Sequence, residues 1–98
     1  MAEAKNWYLL FYDVFDDARL RATHKVLSAW GHPVQFSVFR VRATNRELER
    51  LRFELAEVLD PADRLMVVRL CPHCSKTVSV RGKELSPFTI DPPPFRIL

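Results

Sequence analysis

The chain has 98 residues, 15 of them Lys or Arg and 12 Asp or Glu, which leaves a net charge of +3. That length holds one domain with a modest core, which a symmetric dimer can extend, and no stretch reaches the ~18 apolar residues of a membrane span. The N-terminus "MAEAKNW" carries both signs of charge and no apolar segment, so no signal peptide is expected. A cytoplasmic protein is the expectation, with Cys71 and Cys74 as reduced thiols or metal ligands.

Residues 7–14, "WYLLFYDV", are nearly all aromatic or aliphatic, which predicts a central strand covered on both faces. Asp16 or Asp17 then offers a helix N-cap. "ARLRATHKVLSAW" places Leu20, Val26, Leu27 and Trp30 at near-helical spacing, and Gly31 and Pro33 close the helix. "VQFSVFRVRA", 34–43, alternates in polarity but changes phase at Phe39. It reads as one half-buried strand, or as two short ones separated near Phe39–Arg40. Thr44 and Glu47 have capping-box spacing ahead of an apolar stripe at Leu48, Leu51, Leu55, Val58 and Leu59, with Arg50 and Glu54 paired at i,i+4 on the outer face.

"DPAD", 60–63, is a turn, "RLMVVRL", 64–70, a third buried strand, and "KTVSVRG", 76–82, an edge strand by its alternation. The Pro-rich tail cannot join a central ladder but makes a stiff arm. The order β-α-β(β)-α-β-β fits an α+β, ferredoxin-like β-α-β-β-α-β sandwich with both helices on one face of an antiparallel sheet. The expected organisation is a domain over 1–82 and a C-terminal arm over 83–98 that adds a strand, available to a partner subunit.

In that topology the first strand is central and Asp13 stands at its C-terminal end. An Asp there either bonds the backbone as a turn-former or holds a metal ion. Asp16 and Asp17 compete as ligands but also suit capping. A hard cation such as Mg²⁺ needs several oxygens, so one Asp per chain is few; two copies of Asp13 facing each other across a dimer axis would repel unless they shared a proton or a cation. Basic residues cluster in sequence around this point: Arg19, Arg21 and Lys25 on the helix, Arg40 and Arg42 after the second strand. They suit phosphate contact or a solvated face. The chain's eleven Arg against four Lys fit a phosphate partner or an Arg-favouring codon bias equally. Tyr12 and Phe39 can stack bases or fill the core.

"YLLFYDVFDDARLR", then "VQFSVF", a capped second helix and "MVVRLC", together resemble the small CRISPR-associated Cas-two family from about Tyr8 to Cys74. The resemblance implies a ferredoxin-like homodimer acting in spacer acquisition with the integrase Cas-one. It also implies a metal-dependent endonuclease on RNA or duplex DNA, in which the strand-end Asp of both subunits shares one Mg²⁺ or Mn²⁺. That role maps onto Asp13 as ligand and catalytic residue, with Tyr12, Arg19, Arg21 and Phe39 at supporting positions. Arg40 and Arg42 are further nucleic-acid candidates. Pro33 stands where some members carry a basic residue, and "RVRA" where Gly or Glu is common. The alternative function is a non-catalytic scaffold that holds DNA between integrase subunits; without the resemblance, a generic RNA-binding or redox module remains.

Cys71-Pro-His-Cys74 has redox-motif spacing, but a redox site needs a helix N-terminus and the flanking segments read as strands. Zinc would need four ligands, hence two chains. A tight turn is the expected role. His24 and His32 have no partner at ligand spacing.

Overall fold

The computed structural model describes residues 4–35 and 37–78. The expected arm over 83–98, and residues 79–82 of the expected edge strand, lie outside the described residues. The elements in chain order are β1 (Asn6–Asp13), α1 (Asp17–Trp30), β2 (Gly31–Gln35), β3 (Val38–Ala43), α2 (Asn45–Val58), β4 (Arg64–Leu70) and α3 (Pro72–Thr77). The four strands form one antiparallel sheet in the order β2-β3-β1-β4. This is the ferredoxin-like α+β arrangement, with β1 in the interior as its apolar run implies.

Side chains alternate across the sheet, so one face of β1 is Tyr8, Leu10 and Tyr12 and the other is Trp7, Leu9, Phe11 and Asp13. The first face meets Phe39 and Val41 of β3 and Leu65 and Val67 of β4 in register. Leu27 of α1 and Leu48, Leu51 and Leu55 of α2 complete that core, in which Leu10, Leu27, Phe39, Val41, Leu51 and Leu55 are wholly buried. Each such side chain contributes about 1.5–3 kcal/mol by leaving water. Two polar links fix the layers: Trp30 Nε1 donates to Glu54 at 3.0 Å, joining the helices, and the Tyr8 hydroxyl donates to Asn45 Oδ1 at 3.2 Å.

The second face presents Trp7, Leu9 and Phe11 beside Met66, Val68 and Leu70 of β4. These are half-buried except Met66, which is 59% exposed. Among the described residues α3 lies against β1 and β4, at the Trp7–Leu70 end. Full cover of β1 on both faces, expected from its composition, is therefore met on the helical face only.

Local chemistry sets the boundaries. Asp16 caps α1, its carboxylate accepting from Arg19 N at 3.0 Å. Thr44 and Glu47 form the expected capping box, at 3.0 and 2.9 Å. Gly31 closes α1 as expected, its N–H donating to the Leu27 carbonyl, but its backbone is extended, at φ −162°, and it already begins β2. Glycine is needed there because a Cβ would run into the Arg40 carbonyl and come within 2.8 Å of Val41 Cγ2. Pro33, expected to keep the helix closed, lies inside β2, an edge strand where a missing N–H is tolerated.

Residues 34–43 make parts of two strands, but β2 ends at Gln35 and β3 begins at Val38, ahead of the expected break at Phe39–Arg40. Ser37 takes φ 66° in the turn, and its carbonyl accepts from Tyr12 N at 3.1 Å. The Arg50–Glu54 ion pair does not form; Glu54 serves Trp30 instead. Residues 76 and 77 belong to α3 and not to a strand, because Pro72 begins a helix that Cys71 caps.

Candidate active site

Asp13 ends β1 exposed to solvent, opposite Arg64 in the β1–β4 register. It has no hydrogen bond or ion pair among the described residues. It borders a depression of about 630 Å³ formed by Phe11, Tyr12, Asp63, Arg64, Leu65 and Met66. Its face of the strand is that of Trp7, Leu9 and Phe11.

The loop that follows Asp13 is fastened by a residue whose role is not evident from the turn pattern alone. The Asp63 side chain is wholly buried and accepts four N–H groups. Phe15 N donates to Oδ1 at 3.1 Å and Asp60 N to Oδ2 at 3.0 Å. Arg19 adds a two-pronged pair, Nε to Oδ2 at 2.8 Å and Nη2 to Oδ1 at 3.1 Å. The Arg19 guanidinium, chiefly through these hydrogen bonds, holds the Asp63 carboxyl far below the usual carboxylate range, and Asp63 in turn raises the Arg19 pKa. One signal was available: in a ferredoxin-like sheet the start of β4 abuts the end of β1, so a second Asp closing "DPAD" falls beside the loop after Asp13.

The other expected site residues are divided by the fold. Tyr12 is 6% exposed with its ring 6.2 Å from that of Phe39, and burial pushes its phenol up. Phe39 is wholly buried, with the His24 ring edge-on at 5.1 Å, so its π-face is spent on the core and does not meet a base. Arg40 is 6% exposed, and burial lowers its pKa; it is no surface phosphate contact, because its strand position lies on the sheet face between His32 and Leu9. Arg42 is exposed on that same face, toward the Trp7 end of β1, away from Asp13. Arg21 is exposed and shares with His24 and Lys25 a groove of about 1120 Å³ between α1 and β2. Tyr12 lines both this groove and the depression at Asp13. Asp13, Tyr12 and Arg21 thus share one end of the molecule, Arg19 is engaged inside it, and Phe39, Arg40 and Arg42 stand apart.

Among the described carboxylates around the β1–α1 loop, Asp13 and Asp17 are unspent. Asp63 is saturated by donors and Asp16 is occupied as a cap, and no group of three or more His, Cys, Asp or Glu side chains is assembled among the described residues. The oxygen of Asp13 suits Mg²⁺ or Mn²⁺, which accept one or two carboxylates and complete their shells with water and phosphate. One chain offers Asp13 as a single strand-tip donor, with water and phosphate left to complete the shell.

Residues 6–78 match the family model described as CRISPR associated protein Cas2. The chain belongs to the Cas2 family. It is 33% identical over 89 residues to a Chloroflexus aurantiacus protein named "CRISPR-associated endoribonuclease Cas2 3", covering 90% of this chain and 94% of that one. It is 38% identical over 70 residues to "CRISPR-associated endoribonuclease Cas2 2" of Nitrosomonas europaea, covering 70% of this chain and 62% of that protein. The crystal structure of Streptococcus pyogenes Cas2 superposes with a TM-score of 0.69 at 27% identity, over 78% of this chain and 99% of that one. Membership of Cas2 agrees with the ferredoxin-like sheet and with the order of the motifs along it.

The Cas2 chain also departs from its expected form at Cys71. Instead of a tight turn, Cys71 caps α3, its Sγ accepting from Cys74 N at 3.2 Å. That bond lowers the Cys71 pKa, while Cys71 raises that of Cys74. Both thiols are free and exposed. His24 and His32 are also exposed. No helix among the described residues is long and apolar enough to cross a membrane.

Proposed function

We propose that this Cas2 protein is a homodimeric, divalent-metal-dependent endonuclease of the CRISPR system, working in the cytoplasm during spacer acquisition beside the integrase. One observation carries this reading: the exposed, unpartnered carboxylate of Asp13 continues the apolar stripe Trp7–Leu9–Phe11 on the same sheet face. A second copy packed on that stripe would cover Met66 and its neighbours and bring a second Asp13 to the same rim. Two such carboxylates are the oxygen donors an Mg²⁺ or Mn²⁺ ion accepts. When bound, that ion supplies an acidified water and charge neutralisation at a phosphodiester.

The chain's own residues do the rest. Asp13 provides the negative oxygen at the strand tip. Arg21 and Lys25 line the adjoining groove and hold the phosphate backbone. Tyr12, nearly buried, forms the wall between groove and depression. The endoribonuclease names of the relatives favour RNA as substrate over duplex DNA.

The test is cleavage of labelled single-stranded RNA and duplex DNA with Mg²⁺, with Mn²⁺ and with chelator, alongside sedimentation of the protein. Cleavage by a dimer, lost with chelator and in Asp13→Ala while binding persists, is expected. Equal cleavage by Asp13→Ala overturns the site. Binding of duplex DNA without cleavage by either protein supports the scaffold alternative, in which the dimer bridges integrase subunits.

A further inference from the structure

The family pattern treats Arg19 and Arg21 alike, as basic residues on one helix start. Their surroundings differ. Two of the three nitrogens of the Arg19 guanidinium, Nε and Nη2, are bound to the two oxygens of Asp63, whose side chain is closed off from solvent, while a third of the Arg19 side chain stays exposed. The same carboxylate holds Phe15 N, two residues beyond Asp13, and Asp60 N in the turn before β4. One buried group therefore ties the β1–α1 loop, the first turn of α1 and the start of β4 together. Arg21 has no such partner among the described residues and stands exposed at the groove.

We infer that Asp63 and Arg19 form a positioning pair that sets the loop behind Asp13, and that Arg21, not Arg19, carries the phosphate contact. The inference rests on the reading that Asp13 marks the nucleolytic end. A planar fork matched to a carboxylate is a rigid joint, and its charge is already neutralised within the fold. Only Nη1 is left to a phosphate approaching Arg19; engaging the full fork would mean displacing the buried carboxylate, which would then be left without its counter-ion. A phosphate approaching Arg21 displaces only water. Positioning matters because misplacing a reacting group by about 1 Å can cost on the order of 100-fold in rate.

The experiment measures nucleic-acid affinity against salt, and cleavage kinetics, for the parent and for Arg19→Gln, Arg21→Gln and Asp63→Asn, each first shown to be folded. Each phosphate contact contributes about 0.7–0.9 to the slope of log K against log salt. Arg21→Gln should lower the slope by about one contact and raise KM. Arg19→Gln should leave the slope unchanged and lower kcat by roughly 10- to 100-fold at constant KM. Asp63→Asn frees the Arg19 head, so the slope should steepen by up to one contact while kcat falls. If Arg19→Gln does not fold, Asp63→Asn decides by the sign of its slope change.

A loss of slope in Arg19→Gln equal to that in Arg21→Gln overturns the inference, as does a raised KM with unchanged kcat in Asp63→Asn. A parent that binds without cleaving defeats the nuclease reading, while the slopes still decide between the two arginines. A parent that does neither removes both proposals.

Discussion

Replacing Phe39 by Ala separates a core aromatic from a base-stacking one. Phe39 is wholly buried between Leu10 across the strand pair, the Tyr12 ring and the edge of His24. Removing a buried Phe side chain costs about 3–5 kcal/mol, and each lost aromatic contact about 0.5–1.5 kcal/mol beyond its buried area. A domain of this size is stable by roughly 5–15 kcal/mol in total, and each kcal/mol moves its Tm by about 4–8 °C. Phe39→Ala should therefore lower Tm by about 12–40 °C or prevent folding. Phe39→Leu keeps an apolar side chain in place and should cost under about 2 kcal/mol. The assay pairs thermal unfolding with nucleic-acid affinity at fixed salt. If Phe39 is core, Phe39→Leu binds within twofold of the parent. A Phe39→Leu protein with unchanged Tm and tenfold weaker binding would refute the argument, because only a ring meeting a base explains it.

Three other outcomes follow from the packing and the titrating groups. Gly31→Ala pushes a methyl into the Arg40 carbonyl, a backbone atom that cannot turn aside, and should cost roughly 3 kcal/mol by chemical denaturation despite a gain of about 0.4–1 kcal/mol from a stiffer unfolded chain. Because Arg19 depresses the Asp63 pKa in the fold, the unfolded chain takes up that proton first as pH drops. The stabilisation is full above the unfolded carboxyl value of about 4 and drains away as pH falls below it, so urea midpoints between pH 7 and pH 2 should fall less steeply in Asp63→Asn than in the parent. Cys71, with its lowered pKa, should be alkylated by iodoacetamide before Cys74 near neutral pH, as peptide mass mapping of a time course would establish.

Much of the fold is legible because local chemistry and tertiary packing agree. An unbroken apolar run has only the sheet interior to occupy, and β1 occupies it. The Thr44–Glu47 box and the Leu stripe of α2 specify one helix with one buried face, and both are found. Legibility fails where a residue type has two uses. Gly31 terminates α1 as its type suggests, but the space it leaves is for a neighbouring strand's carbonyl, which no local pattern records. The change of phase at Phe39 suggests a break there, yet β2 ends at Gln35, Ser37 lies in the turn, and Phe39 is already the second residue of β3. Residues 76–77 alternate like the start of a strand, but Pro72 and Cys71 supply a helix start whose reach overrides so weak a period.

The site divides along the same line. The position of Asp13 follows from the strand it ends, since a polar residue at the tip of an apolar run must emerge into solvent. What the linear order hides is which charges remain unspent. Arg19, Arg21, Arg40 and Arg42 are equivalent as residue types, and four phosphate contacts would be a fair count from composition. The fold encloses Arg40 in the sheet, sends Arg42 toward the far end of β1 and commits Arg19 to Asp63. A guanidinium bound at 2.8 and 3.1 Å to a buried carboxylate adds little to the outward field, because the pair is neutral at any distance much larger than its own size. A phosphate backbone brought to this end would therefore meet the charges of Arg21, Lys25 and Arg64, opposed by Asp13, Asp16, Asp17 and Asp60. An anionic substrate gains most there once a cation offsets the Asp13 carboxylate. If a second copy brought its Asp13 to the same rim, the paired carboxylates would add to that demand for a counter-ion.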